Sequence, residues 1–272
     1  MKRNKILILT IVSIMLINVQ IYSQIDNDFW FVAPYVTPGH GNSPIGFRVF
    51  TYGMPANVTL SQPANPSFTP MTAYIPAHDS HTFDLTSFIN TTMCTPENTV
   101  LNYGYNITSD ANVSAYYEVM VPHNGDIFSL KGKNALGTEF MIPFNNLYYN
   151  GNFNPIPSGG FIIVATEDGT VVTITPSHDL IGHPAGVPFT IYLNKGQTYF
   201  CRIVEPDPAN NPMGTMVSSN KPITITIFDD SIANLSGTCY DLIGDQITPL
   251  NIIGNEYIVI RGFINDGDRI FI

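Results

Sequence analysis

The feature that most constrains this chain is an internal duplication. Asn27-Asp28-Phe29-Trp30-Phe31 returns as Thr138-Glu139-Phe140-Met141-Ile142 and again as Asn255-Glu256-Tyr257-Ile258-Val259. The acid therefore recurs at intervals of 111 and then 117 residues. Other segments recur between these marks in the same order. Val58-Thr59-Leu60-Ser61 matches Val172-Thr173-Ile174-Thr175 at an offset of 114, and Thr72-Ala73-Tyr74-Ile75 matches Thr190-Ile191-Tyr192-Leu193 at 118. Thr108 to Val113 matches Ser218 to Ile223 at 110. A shared order with small drifts is the mark of a repeated unit with loop insertions. Two full units, 24–136 and 137–253, are expected, with 254–272 opening a third that stops short. The chain is then expected to be the front part of a longer protein.

Each unit reads as short strands. In the second, Phe161 to Thr166 is an apolar run, Asp168-Gly169 supplies a hairpin turn, and Val171 to Thr175 returns until Pro176 stops it. Phe189, Ile191 and Leu193 then alternate with Thr190 and Tyr192, the period of a strand with one buried face. Asn194-Lys195-Gly196 turns the chain into Thr198 to Val204. A last pair, Gly214 to Val217 and Ile223 to Phe228, flanks Ser219-Asn220-Lys221-Pro222, read as a turn. The first unit follows the same plan: Ile45 to Tyr52 with Asn57 to Ser61, Thr72 to Ile75 with His81 to Leu85, and Leu101 to Thr108 with Val113 to Met120 about Ser109-Asp110-Ala111-Asn112. Segments 123–135 and 144–159 read as Gly/Asn/Pro-rich loops, and Asp84 to Ile89 could make one helical turn. The class is all-β. A β-sandwich per unit is the expected architecture, with a β-propeller of about two blades per unit as the alternative.

The first 23 residues read as a removable leader, with a retained membrane anchor as the alternative. Lys2, Arg3 and Lys5 precede an apolar run from Ile6 to Val19, and Ser23 offers a small residue before the cut. Its loss would take the net charge from −10 to −13. So acidic a chain does not suit nucleic acid, whose phosphates call for Lys/Arg clusters. A protein of the outside of the cell is expected, not integral to the membrane once the leader is gone. Cysteines 94, 201 and 239 are too few for a disulfide scaffold. Export permits one bridge, and Cys201 and Cys239 share a unit; buried free thiols are the alternative.

No Gly-x-Ser-x-Gly, His-Glu-x-x-His, phosphate loop or Cys-x-x-Cys occurs, so no catalytic residue is assigned. The His residues are scattered, with His78 and His81 about one turn and His178 and His183 in one loop, which does not read as a zinc site. No cofactor is expected; calcium is the one cation to weigh, at Asp229-Asp230 or Asp266-Gly267-Asp268, although both also read as solvated turns. The repeated acids Asp28, Glu139 and Glu256 read either as a ligand contact or as carboxylates that accept backbone N–H groups where units meet. Asp230-Ser231-Ile232 has the form of a bacterial O-glycosylation acceptor. Among the aromatics, Tyr148-Tyr149 in an Asn-rich loop is the best exposed binding candidate.

The string from Phe161 to Ser177, then Pro184 to Tyr199, Gly214 to Ile223 and Cys239-Tyr240-Asp241-Leu242, with Leu136 to Phe140 ahead of it, resembles the N-terminal domain of IgGFc-binding proteins. The likeness runs from about Asp28 to the end and is strongest over 136–260. It implies a non-enzymatic secreted or surface module of a large multidomain protein, recognising an extracellular protein or glycan. In animals the family name records binding to the Fc region of immunoglobulin G; bacterial relatives are surface or gliding-type proteins exported by a type IX route, which the leader and the Asn/Ile-rich usage fit better. The first unit diverges, and Asp229-Asp230-Ser231 departs from the pattern, so the resemblance does not by itself imply Fc binding. The alternative is a carbohydrate-binding accessory region of a longer secreted enzyme.

Overall fold

Alternation builds the outer strands. In Ala56–Ser61 the side chains of Ala56, Val58 and Leu60 are buried while those between them face outward, as a pleated strand with one solvated face requires. The computed structural model describes residues 24–122, 124–144, 147–233, 240–254 and 256. In chain order its strands are β1 (Asp26–Phe31), β2 (Ile45–Thr51), β3 (Ala56–Ser61), β4 (Met71–Ile75), β5 (Ser80–Asp84), β6 (Val100–Leu101), β7 (Tyr105–Val119), β8 (Asp126–Ser129), β9 (Gly137–Met141), β10 (Tyr149–Asn150), β11 (Gly159–Ala165), β12 (Thr170–Thr175), β13 (Phe189–Leu193), β14 (Thr198–Arg202), β15 (Met216–Ala233) and β16 (Asp241–Gln246). Strand makes up 49% of the described residues and helix 7%, which settles the class as all-β. The helical part includes a 3-10 turn, Thr86–Phe88, running into a single α-turn, Ile89–Thr92.

The two sheets repeat one topology. The first runs β4-β3-β7-β2-β5, with β1 and β8 also on β7; the second runs β13-β12-β15-β11-β14, with β9 and β16 also on β15. The register repeats as well. Asp28 stands opposite Thr108, and Glu139 opposite Ser218. Thr59 pairs with Thr108 and Thr72; Thr173 pairs with Ser218 and Thr190. In each sheet the longest strand takes two neighbours on its first half and others on its second, β2 and β8 on β7 and β11, β16 and β10 on β15, so the sheet folds over into two layers about it. That is a sandwich. The order is not the consecutive meander of a propeller blade, so the propeller alternative falls.

Ser109 to Asn112 and Ser219 to Pro222 are not the hairpin turns their composition suggests; each lies inside one continuous strand, β7 or β15. The turn-forming residues sit where the strand bends from one layer to the other. Polar clamps hold both bends: Asp110 accepts from the Asn57 backbone N–H and Nδ2 at 2.8 and 2.7 Å, and Asn220 Oδ1 accepts from the Val171 N–H at 2.7 Å. Pro222 is tolerated because the pairing with β9 shifts register between Ser218 and Ile223. Segment 123–135, read as loop, carries β8.

The continuous apolar run of β11 has its own cause. Every residue of Gly159–Ala165 is buried, so both faces are covered. Ile162 and Val164, with Phe200 of β14 and Phe228 of β15, belong to the first unit's core around Phe29, Phe31, Phe47 and Tyr117. Phe161, Ile163 and Ala165, with Tyr199 and Cys201, belong to the second core around Phe140, Val172 and Ile225. One layer of the second sheet is thus the middle layer of the molecule. In addition, β6 leaves the first unit to pair with β14. The leader expected over 1–23, residues 257–272 of the expected third unit, with Asp266-Gly267-Asp268, and Cys239 lie outside the described residues.

Candidate functional site

Asp229 and Asp230 do not lie in a solvated turn. They lie inside β15, which runs on to Ala233, and are 4% and 0% exposed. Their oxygens face protein donors instead of an open cation seat. Asp229 Oδ1 accepts from Asn150 Nδ2 at 2.6 Å, and Asp230 Oδ2 accepts from the Thr37 backbone N–H at 2.7 Å. Ser231 donates to Asp230 Oδ1 at 3.1 Å, and its Oγ lies 2.7 Å from His40 Nδ1. His40 Nε2 sits 3.2 Å from the carbonyl of Tyr240, and its ring packs 4.8 Å from that of Phe153.

This Ser/His/Asp trio has the composition of a hydrolytic triad without its geometry. A triad needs the imidazole between the other two, one nitrogen on each. Here Nδ1 faces both, 2.7 Å from Ser231 and 3.4 Å from Asp230. Ser231 is fully buried, which also bars it as a glycosylation acceptor in the folded protein. The trio ties the loop after β1 to the end of β15, and so joins the two units.

The remaining candidates lie apart. Tyr149, on β10, is 53% exposed; Tyr148 beside it is half-buried. Cys201 is a free, buried thiol in the second core, where the sequence suggested a bridge to Cys239. Cys94 is also free, and burial pushes its thiol up to about 12, which removes it as a nucleophile. Asp28 accepts from Asn106 Nδ2 at 2.7 Å, a side-chain partner and not the expected backbone one; Glu139 is exposed. The carboxylate that does take a backbone N–H at the unit boundary is Asp26, from Lys133 at 2.9 Å.

The surface also carries an open cleft of about 550 Å³. Three segments wall it: 65–68, 87–91 and 100–103. Gln62, 3% exposed, holds all three together. Its Nε2 donates to the Thr91 carbonyl at 2.6 Å and to that of Tyr103 at 3.5 Å, while its Oε1 accepts from Asn65 Nδ2 at 2.8 Å. The second unit fixes the third wall through the pairing of β6 with β14, a 3.1 Å bond from Gln197 Nε2 to Asn102 Oδ1, and another from the Gly104 N–H to the Gly196 carbonyl. Phe68 forms the floor, its ring 5.3 Å from that of Phe88 and 5.7 Å from that of Tyr105. The sequence hid this site because its residues come from two turns and one short strand with no shared period. The local hint is the apolar pair Phe88-Ile89 set between Thr86-Ser87 and Asn90-Thr91.

Among the described residues no helix is long and apolar enough to cross a membrane. A family model described as IgGFc binding protein matches residues 128–271, just over half of the chain. No curated protein matches it. Among solved structures, a calcium binding mutant of Bacteroides uniformis beta-glucuronidase 2 aligns at 10% identity and a TM-score of 0.20, covering 82% of this chain and 26% of that one. The same enzyme covalently bound to cyclophellitol-6-carboxylate aziridine aligns at 12% identity and a TM-score of 0.18, with the same coverage. The chain thus spans about a quarter of those chains, at a likeness too low to bear on its fold or chemistry.

Proposed function

This chain belongs to the IgGFc binding protein family, and from that premise we propose that it is a secreted or surface-held module that binds an extracellular macromolecule and performs no chemistry on it. The family match over 128–271 is the observation that carries the reading. It spans the second unit, whose middle layer organises the whole molecule. In this reading 1–23 is a leader, 24–136 and 137–253 are the repeat units, and 254–272 opens a third. The whole serves as the front of a larger adhesion protein of bacterial type, with type IX export as its route. Tyr149 and the Gln62 cleft are the contact regions this reading favours.

A second reading, a carbohydrate-binding accessory region of a longer secreted enzyme, draws on the uncharged polar walls of the cleft. The full-length gene separates the two: a C-terminal sorting domain fits the first, and a glycosidase or protease domain the second. The direct test immobilises IgG Fc and a set of extracellular glycoproteins and measures binding of the purified protein. Saturable binding with the ligand recovered intact is expected. Release of cleaved ligand, or no binding to any of them, would overturn the proposal.

A further inference from the structure

We propose that the cleft beside Gln62 binds a neutral oligosaccharide. This rests on the binding-module reading and names the class of ligand. Its volume, about 550 Å³, falls within the range of about 300–1,000 Å³ usual for small-ligand sites. Its chemistry narrows the occupant. The lining includes Asn, Ser and Thr side chains from all three walls but no Asp, Glu, Lys or Arg. Anionic sugars, phosphates and nucleic acids are recognised through Arg or Lys, and none is present here. A net charge of −10 would further repel acidic glycans.

What the walls do offer is donors and acceptors left open. The side chains of Ser67, Ser87 and Asn90 and the Tyr103 hydroxyl line the cleft, and among the described residues none of them bonds to another protein group. Ser67, Ser87 and Asn90 are exposed, so the cleft presents hydroxyl and amide groups to solvent on more than one wall. Beside them stand the half-buried rings of Phe88 and Tyr103. A neutral sugar is amphipathic in the matching sense: equatorial hydroxyls at its rim, and a face of C–H groups that packs on an aromatic ring. An apolar ligand would leave the open polar groups desolvated and unpaired. Gln62 holds the walls in place before a ligand arrives, which lowers the ordering cost of binding.

The test probes the purified protein against an array of neutral, uronic-acid-bearing and sialylated oligosaccharides, with Asn90→Ala, Ser67→Ala and Tyr103→Phe as variants. These side chains hold nothing else in place, so Tm should stay at the wild-type value while the Kd for neutral glycans rises tenfold or more. Added salt should leave the wild-type Kd unchanged, because no ion pair is involved. A preference for acidic glycans, or variants that bind neutral glycans as well as wild type, would overturn the assignment. Binding to a deglycosylated protein ligand with no glycan bound would sink this inference and leave the binding-module reading intact; no binding to anything would sink both.

Discussion

Asp126, at the start of β8, carries a cost for the fold. Burial, then the nearby carboxylates Asp241 and Asp245, push its carboxyl up to about 7, against a backbone N–H from Ile127 that pulls the other way. Its Oδ2 is buried with no partner among the described residues, while Asp245 is paired to Lys131 at 2.6 Å. The unfolded chain releases this proton near the ordinary aspartate value of about 4. Between about 4 and about 7 the folded state therefore holds more proton than the unfolded one, and stability falls as pH rises through that window. Solvent reaches part of the group and screens it, so the penalty above neutrality should be about 1–2 kcal/mol. Urea melts should find Asp126→Asn more stable than wild type by that amount at pH 8 and equal to it near pH 4. At the junction, Asp230→Ala leaves the Thr37 N–H without its acceptor and should cost about 1–3 kcal/mol. In the cleft, Gln62→Leu removes the tie among three walls and should cost a similar amount in the same melts.

The elements explain why the strands were legible in the sequence and their joints were not. Strands such as β3 and β13 carry a period of two, and the repeat offsets tracked true structural equivalence: Val58 and Val172, 114 apart, face Ser109 and Ser219. The bends of β7 and β15 read as turns because Ser, Asn and Asp favour turns for the same reason that they suit a strand changing layers: they supply local polar partners. The cleft and the His40–Asp230–Ser231 tie could not be read, because they join residues up to 191 positions apart with no motif between them. Gly46 and Gly160 occupy equivalent positions on β2 and β11, each pressed against its neighbouring strand. A Cβ would come within 2.6 Å of the Phe83 carbonyl oxygen at the first and 2.2 Å of the Cys201 carbonyl oxygen at the second. Gly46→Ala and Gly160→Ala should each destabilise by about 1–3 kcal/mol. Gly53→Ala, where nothing lies within 4 Å, should leave the chemical denaturation midpoint unmoved.

At the scale of the whole molecule, the duplication has not produced two independent beads. The layer containing β11 and β14 serves both cores, and β6 crosses from the first unit into the second sheet. Gln246 Nε2 donates to the Trp30 carbonyl at 2.6 Å, and the Lys195 ammonium lies 5.6 Å from the centre of the indole ring. The cleft depends on this fusion, since its third wall is held by residues of the second unit. The two units should therefore fold and unfold together. The single tryptophan makes this directly measurable, because Trp30 sits at the junction. Urea unfolding followed by its fluorescence reports the junction, and far-UV circular dichroism on the same samples reports all the strands. One transition with coincident midpoints and equal slopes is expected from both probes. A fluorescence change that is complete while most of the strand signal persists, or two resolved transitions, would contradict the fused architecture on which the binding site rests.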